Sequence, residues 1–173
     1  PVPDGAGGSS APMAPGYSAP ARAGGDAGGV WAGAWLRGGS EEGEEWHRDG
    51  MREHKQNVFE DFIAAARYLK AEGWTTTEQL GIYGGSNGGL LVGATLTQWP
   101  SELSAVICSA PLLDMLRYEH FGLGITWNDE YGRADDPTAF PWLYSYRPLQ
   151  KVAPDTASPP ASLPTLGSCL LPY

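Results

Sequence analysis

The sequence predicts an α/β fold, a mainly parallel sheet flanked by helices. Three observations carry that prediction. Short apolar runs at 29–36, 79–83 and 103–109 stand between longer segments with helical spacing. The runs are continuous rather than alternating, as strands buried on both faces of a parallel sheet are. Strand-like and helix-like segments take turns along the chain, which is the order of a covered parallel sheet.

The elements follow in order. Residues 1–26 are mostly Gly, Pro, Ala and Ser and predict a poorly ordered N-terminal segment. The ordered core is expected over 27–150. It opens with Gly29-Val30-Trp31-Ala32-Gly33-Ala34-Trp35-Leu36, which reads as a buried strand stopped by Arg37-Gly38-Gly39. An acidic loop follows at 40–45. Its Glu41, Glu42, Glu44 and Glu45 read as a solvated loop, with steering of basic peptides as the sharper alternative.

The segment 51–72 places Val58, Phe59, Phe62, Ala65, Ala66 and Leu69 at spacings of three and four, one face of an amphipathic helix. Gly73 stands where a C-terminal cap belongs. A second strand at 79–83, a glycine-rich turn at 84–89 and a helix at 90–97 come next. A third strand spans 103–109, a helix is expected at 112–121, and 127–144 reads as aromatic-rich loop and short helix. Residues 151–173 form a divergent Pro/Ser-rich tail.

The 173 residues carry a net charge of −9, which argues against a nucleic-acid partner because phosphate binding needs a Lys/Arg surface. No run approaches the roughly 18 apolar residues of a membrane helix, so no membrane association is expected. No basic stretch followed by an apolar one marks a secretory signal at the N-terminus. Two cysteines, Cys108 and Cys169, make neither a disulfide framework nor a metal site. Cys108, inside Ala105-Val106-Ile107-Cys108, reads as a small buried hydrophobe. No metal and no cofactor is expected.

The turn carries the chemistry. Gly84-Gly85-Ser86-Asn87-Gly88-Gly89 satisfies G-x-S-x-G with Ser86 central. A nucleophile there sits on a sharp strand-to-helix turn, and side chains at the flanking glycines would collide with the neighbouring elements. A serine at a helix N-terminus also faces N–H groups and a dipole that favour negative charge. The backbone N–H of the next residue, Asn87, then donates to the oxyanion. The same letters also arise in glycine-rich turns whose serine merely faces solvent. The strand before and the helix after favour the nucleophile. A phosphate-binding loop is a weaker rival, since neither G-x-x-x-x-G-K-[ST] nor G-x-G-x-x-G is present.

Four segments, GGVWAGAWLRGGSEEGEEWH, KQNVFEDFIAAARYLKAEGWT, LGIYGGSNGGLLVGA and APLLDMLRYEHFGLGITWNDEYG, together resemble the catalytic domain of the prolyl oligopeptidase family in order and spacing. The resemblance covers about residues 27–150. It implies a partial α/β-hydrolase fold and a serine-type endopeptidase, cytoplasmic, that hydrolyses proline-containing peptides after proline. Ser86 would be acylated and Asn87 would be the oxyanion donor. Trp127 matches the indole that stacks on the substrate proline, and Tyr131 matches a hydroxyl lining the same pocket. A flat indole suits proline because ring contact buries apolar area without needing a donor, which proline lacks.

The departures imply an alternative, a catalytically inactive truncated remnant. The family's Tyr-Gly-Tyr-Gly-Gly-Phe turn corresponds to Asp4-Gly5-Ala6-Gly7-Gly8-Ser9, with Ala6 and Ser9 in place of the second tyrosine and the phenylalanine. Loss of one oxyanion donor costs about 10²–10³ in rate. The triad order of this fold is Ser, then Asp or Glu, then His. After Val152 the expected strand, its acid and the late histidine are not recognisable, nor is the family's gating β-propeller. His47, His54 and His120 all read as surface or loop residues rather than as the base, and Asp155 as a solvated tail residue. An esterase or lipase on the same fold fits the turn but leaves Trp127 and the matching flanks without a role.

Overall fold

The computed structural model of the protein describes residues 18–164. Its elements run α1 (Ala19–Asp26), α2 (Glu44–Arg48), α3 (Gln56–Ala71), β1 (Gly81–Gly85), α4 (Asn87–Gln98), β2 (Ala105–Ser109), α5 (Asn128–Tyr131), α6 (Phe140–Tyr146) and β3 (Ala161–Ser162). Short 3₁₀ turns join several of them. The three strands form one parallel sheet in the order β1-β2-β3, so the predicted α/β architecture is what the chain adopts. Gly81 lies opposite Ala105 and Gly85 opposite Ser109, while Val106 and Ile107 meet Ala161 and Ser162.

Helix α3 forms because its apolar residues share one face: Val58, Phe59, Phe62, Ile63 and Ala66 are all buried. It ends at Ala71, and Gly73 just beyond has a φ of 76°, a left-handed conformation that favours glycine. Helix α4 is apolar all round and lies between α3 and the strands, burying Leu90, Leu91, Val92, Ala94 and Thr95. The Thr95 hydroxyl donates to the Leu91 carbonyl, so no buried hydroxyl is left unpaired there. Ile82 and Val106 of the strands complete this core with Phe59, Tyr118, Leu143 and Tyr146. Each such side chain contributes about 1.5–3 kcal/mol by leaving water.

Two local expectations fail, each for a physical reason. Segment 29–36 is extended chain without a ladder, not a strand. An apolar run becomes a strand only beside a partner backbone, and here residues 28–30 and 32–34 line a cavity of about 660 Å³ together with Gly81, Ile82 and Tyr83 of β1 and pair with no strand among the described residues. Segment 112–121 is turns and one 3₁₀ stretch, Tyr118–His120, rather than a helix. Ala110, at φ 41°, turns the chain sharply just before it, and Asp114 is held by Arg117 and Gln150 instead of facing solvent. The tail, in turn, contains a strand: β3 pairs with β2 in register. It is only two residues long, with Pro159 and Pro160 before it and Pro164 after, which is why its pattern is illegible.

The side of the sheet opposite α4 stays open. Ile107 is 41% exposed, and Val30 and Trp74, which line the cavity with it, are 72% and 67% exposed.

Candidate active site

Ser86 stands alone between β1 and α4. It is exposed, with φ 52° and ψ −116°, a strained conformation for a residue with a side chain. The turn is held from both sides: the Ser86 N–H donates to the Ser109 carbonyl at 2.9 Å, and the Leu90 N–H donates to the Ser86 carbonyl at 3.1 Å. The hydroxyl does not cap the helix it precedes. Sheet and helix thus fix the backbone while the Oγ is left outward.

Gly84 and Gly89 beside it leave no room for a side chain. A Cβ on Gly84 would collide with the Gly88 carbonyl group, 2.6 Å from its carbon, because β1 and the first turn of α4 run together at an acute angle there. Asn87 is the first residue of α4, at the end where peptide N–H groups and the positive pole of the helix face outward.

Of the other expected residues, the structure brings Tyr131 into this group. Its hydroxyl donates to Asn87 Oδ1 at 2.6 Å across 44 positions of sequence. Tyr131 is buried, and burial raises the pKa of its phenol well above the ordinary value, so it stays a donor at any physiological pH. Its hydroxyl is thus turned to Asn87. Trp127 ends the 3₁₀ turn Gly124–Trp127 immediately before α5, half-buried against the core. It is not part of the hydrogen-bonded group.

Sequence reasoning missed the support behind Tyr131. Lys55, 1% exposed, donates from Nζ to Glu130 Oε1 at 2.9 Å and lies 5.1 Å over the Tyr131 ring. His47 Nε2 approaches Glu130 Oε2 at 3.3 Å, and its Nδ1 bonds the Gly38 carbonyl at 2.9 Å. Desolvation lowers the Lys55 pKa, and the adjacent Glu130 carboxylate opposes the shift. The only hint in the sequence is a lysine just ahead of an amphipathic helix, which ordinarily faces water.

His47 is held by Gly38 and Glu130, His54 is exposed beside Glu53, and His120 lines a separate depression with Arg133 and Asp135. The stretch Asp4-Gly5-Ala6-Gly7-Gly8-Ser9 and Cys169 lie outside the described residues. Among the described residues no cluster of metal-ligating side chains occurs, and no helix is long and apolar enough to cross a membrane.

A parallel sheet feeding a glycine-flanked serine into a following helix defines an α/β-hydrolase catalytic domain, in part. The chain belongs to the prolyl oligopeptidase family, whose model matches residues 17–166. It is 42% identical over 133 residues to a prolyl endopeptidase of Dictyostelium discoideum, covering 77% of this chain and 18% of that protein. A prolyl endopeptidase of Elizabethkingia miricola is 44% identical over 133 residues, 76% of this chain and 19% of the relative. Among solved structures, one from a structural and mechanistic analysis of two prolyl endopeptidases superposes with a TM-score of 0.88 at 49% identity, over 91% of this chain and 23% of that one. Prolyl oligopeptidase B of Galerina marginata, bound to a 25mer macrocyclization substrate, gives 0.77 at 36% identity over 80% of this chain and 19% of that one. The chain thus spans about a fifth of the length of these relatives. Members of the family are peptidases, that is, hydrolases.

Proposed function

We propose that this chain is the nucleophile-bearing part of a serine endopeptidase that cleaves peptides after proline. The observation that carries the reading is Ser86 at positive φ between β1 and α4. Its Oγ attacks the carbonyl carbon of the scissile bond while its proton passes to a general base. The oxyanion so formed is met by the backbone N–H of Asn87. Collapse expels the amine, which takes up the proton, and leaves an acyl group on Ser86. Water then hydrolyses that ester. Trp127 stacks on the proline ring before the scissile bond.

None of His47, His54 and His120 is assigned as the base: His47 is held by Gly38 and Glu130, His54 lies exposed beside Glu53, and His120 lines a separate depression. That observation favours a second reading, in which the chain by itself carries a nucleophile turn but no turnover. Without base and acid, an enzyme of this kind retains about 10³–10⁴ over the uncatalysed rate.

A fluorophosphonate probe and a Gly-Pro chromogenic amide, each with Ser86→Ala as control, test both. Labelling that depends on Ser86, with amide hydrolysis, is the expected result for the peptidase. Labelling without hydrolysis selects the second reading. A Ser86 that takes up no probe in folded protein refutes the nucleophile.

A further inference from the structure

We propose that Lys55 is a positioning residue for the Ser86 turn, acting through Glu130 and Tyr131 on Asn87. The proposal rests on Ser86 as nucleophile and Asn87 as its oxyanion donor.

A lysine 1% exposed is costly to bury, and is kept where its ammonium is paired. Its ammonium meets Glu130 and the Tyr131 ring, which are consecutive residues of one short helix. That helix, α5, has four residues and no side-chain cap, and too little backbone bonding to hold its own shape. It is fixed from outside on every side. The Trp142 indole N–H donates to the Tyr131 carbonyl at 2.7 Å. The Tyr118 hydroxyl is 2.7 Å from both Asn128 Oδ1 and the Gly132 carbonyl, and its ring meets the Tyr131 ring edge-on at 5.5 Å. Arg52 Nε donates to the Asp129 carbonyl at 2.9 Å.

The contact from this helix to the nucleophile turn is the Tyr131 hydroxyl on Asn87 Oδ1. Lys55 sets where that hydroxyl sits, from beneath the ring and through the preceding carboxylate. The Asn87 side chain is then held through α5, and its peptide N–H keeps one direction. Oxyanion stabilisation depends on such preorganisation, since a donor that must reorient gives up much of its effect.

The test needs variants that separate position from stability. Lys55→Met removes the charge at similar volume, and Tyr131→Phe removes only the hydroxyl. The chain has three asparagines, Asn57, Asn87 and Asn128, so selective ¹⁵N labelling of asparagine yields a spectrum that can be assigned by substitution. Lys55→Met is expected to move the Asn87 backbone and side-chain amide signals, and Tyr131→Phe to move them too. In the Tyr131→Phe background Lys55→Met moves them no further. The rate of Ser86 labelling by fluorophosphonate falls roughly tenfold in each single variant, and no further in the double. A lysine that serves stability alone would lower the melting temperature and leave these couplings absent. Asn87 signals that stay in place in Lys55→Met, or that move equally with and without the Tyr131 hydroxyl, overturn the proposal. If Lys55→Met does not fold, Glu130→Gln carries the same comparison. Absence of labelling in the unsubstituted chain refutes Ser86 as nucleophile, and the Asn87 signals still decide whether Lys55 positions it.

Discussion

At the scale of single residues, the turn is defined by what cannot be there. Gly84 packs against the Gly88 carbonyl with no room for a methyl group, and both belong to backbone that sheet and helix hold in place. Gly84→Ala therefore forces β1 and α4 apart. We expect a loss of about 3 kcal/mol in urea unfolding, together with loss of probe labelling at Ser86. An alanine variant as stable as the parent would show that the two elements are not rigidly juxtaposed. The sequence makes Gly84, Ser86 and Gly88 legible because a tight turn restricts residue type locally. It does not make Tyr131 legible as Asn87's partner, because a hydrogen bond across 44 positions leaves no local pattern.

Among the elements, α3 is tied to the chain entering it by Arg37. The guanidinium holds Asp61 at 2.9 and 2.5 Å, and the Arg37 backbone N–H adds a third bond at 3.0 Å. Desolvation pushes the Asp61 carboxyl up, but the bonds and charge of Arg37 outweigh it and hold the pKa below the ordinary value. A carboxylate depressed in the folded state contributes stability above its unfolded pKa of about 3.9, and loses it as pH falls through the folded value. Asp61→Asn is expected to cost about 2 kcal/mol at neutral pH. The gap between variant and parent should close as urea melts are taken below about pH 4. A gap that is constant down to pH 2 would show that the charge contributes nothing. Glu102, lowered by its bonds to Lys70 and Arg67, acts in the same direction. Helix α3 is legible from spacing because burial on one side forces a 3.6-residue period. The 112–121 segment misleads because Leu112, Met115 and Tyr118 join the core from turns, where no period is imposed.

For the molecule as a whole, the alternation of strand and helix is enough to read a parallel sheet, since each crossover must return the chain to the same end. It is not enough to say which runs pair. Val30, Trp31 and Trp35 look as strand-like as Ile82 and Tyr83, yet among the described residues only the second run has a strand neighbour. Pairing is a property of two segments, and one segment's letters do not contain it.

The run at 30–36, whose strand-like sequence has no ladder among the described residues, gives the native state two tiers of protection. Its backbone amides from 30 to 36 donate to no carbonyl among the described residues, whereas β1 and β2 are laddered and roofed by α4. Hydrogen–deuterium exchange should therefore label 30–36 at once and reach β1 and β2 only through global opening. The boundary falls at Leu36 and Arg37, where burial and the Asp61 bonds begin. Equal protection on both sides of that boundary would mean that the run is laddered in solution. If the tiers differ, this stretch is also where a protease enters, cutting beside Trp31 and Trp35 while the serine turn is still folded.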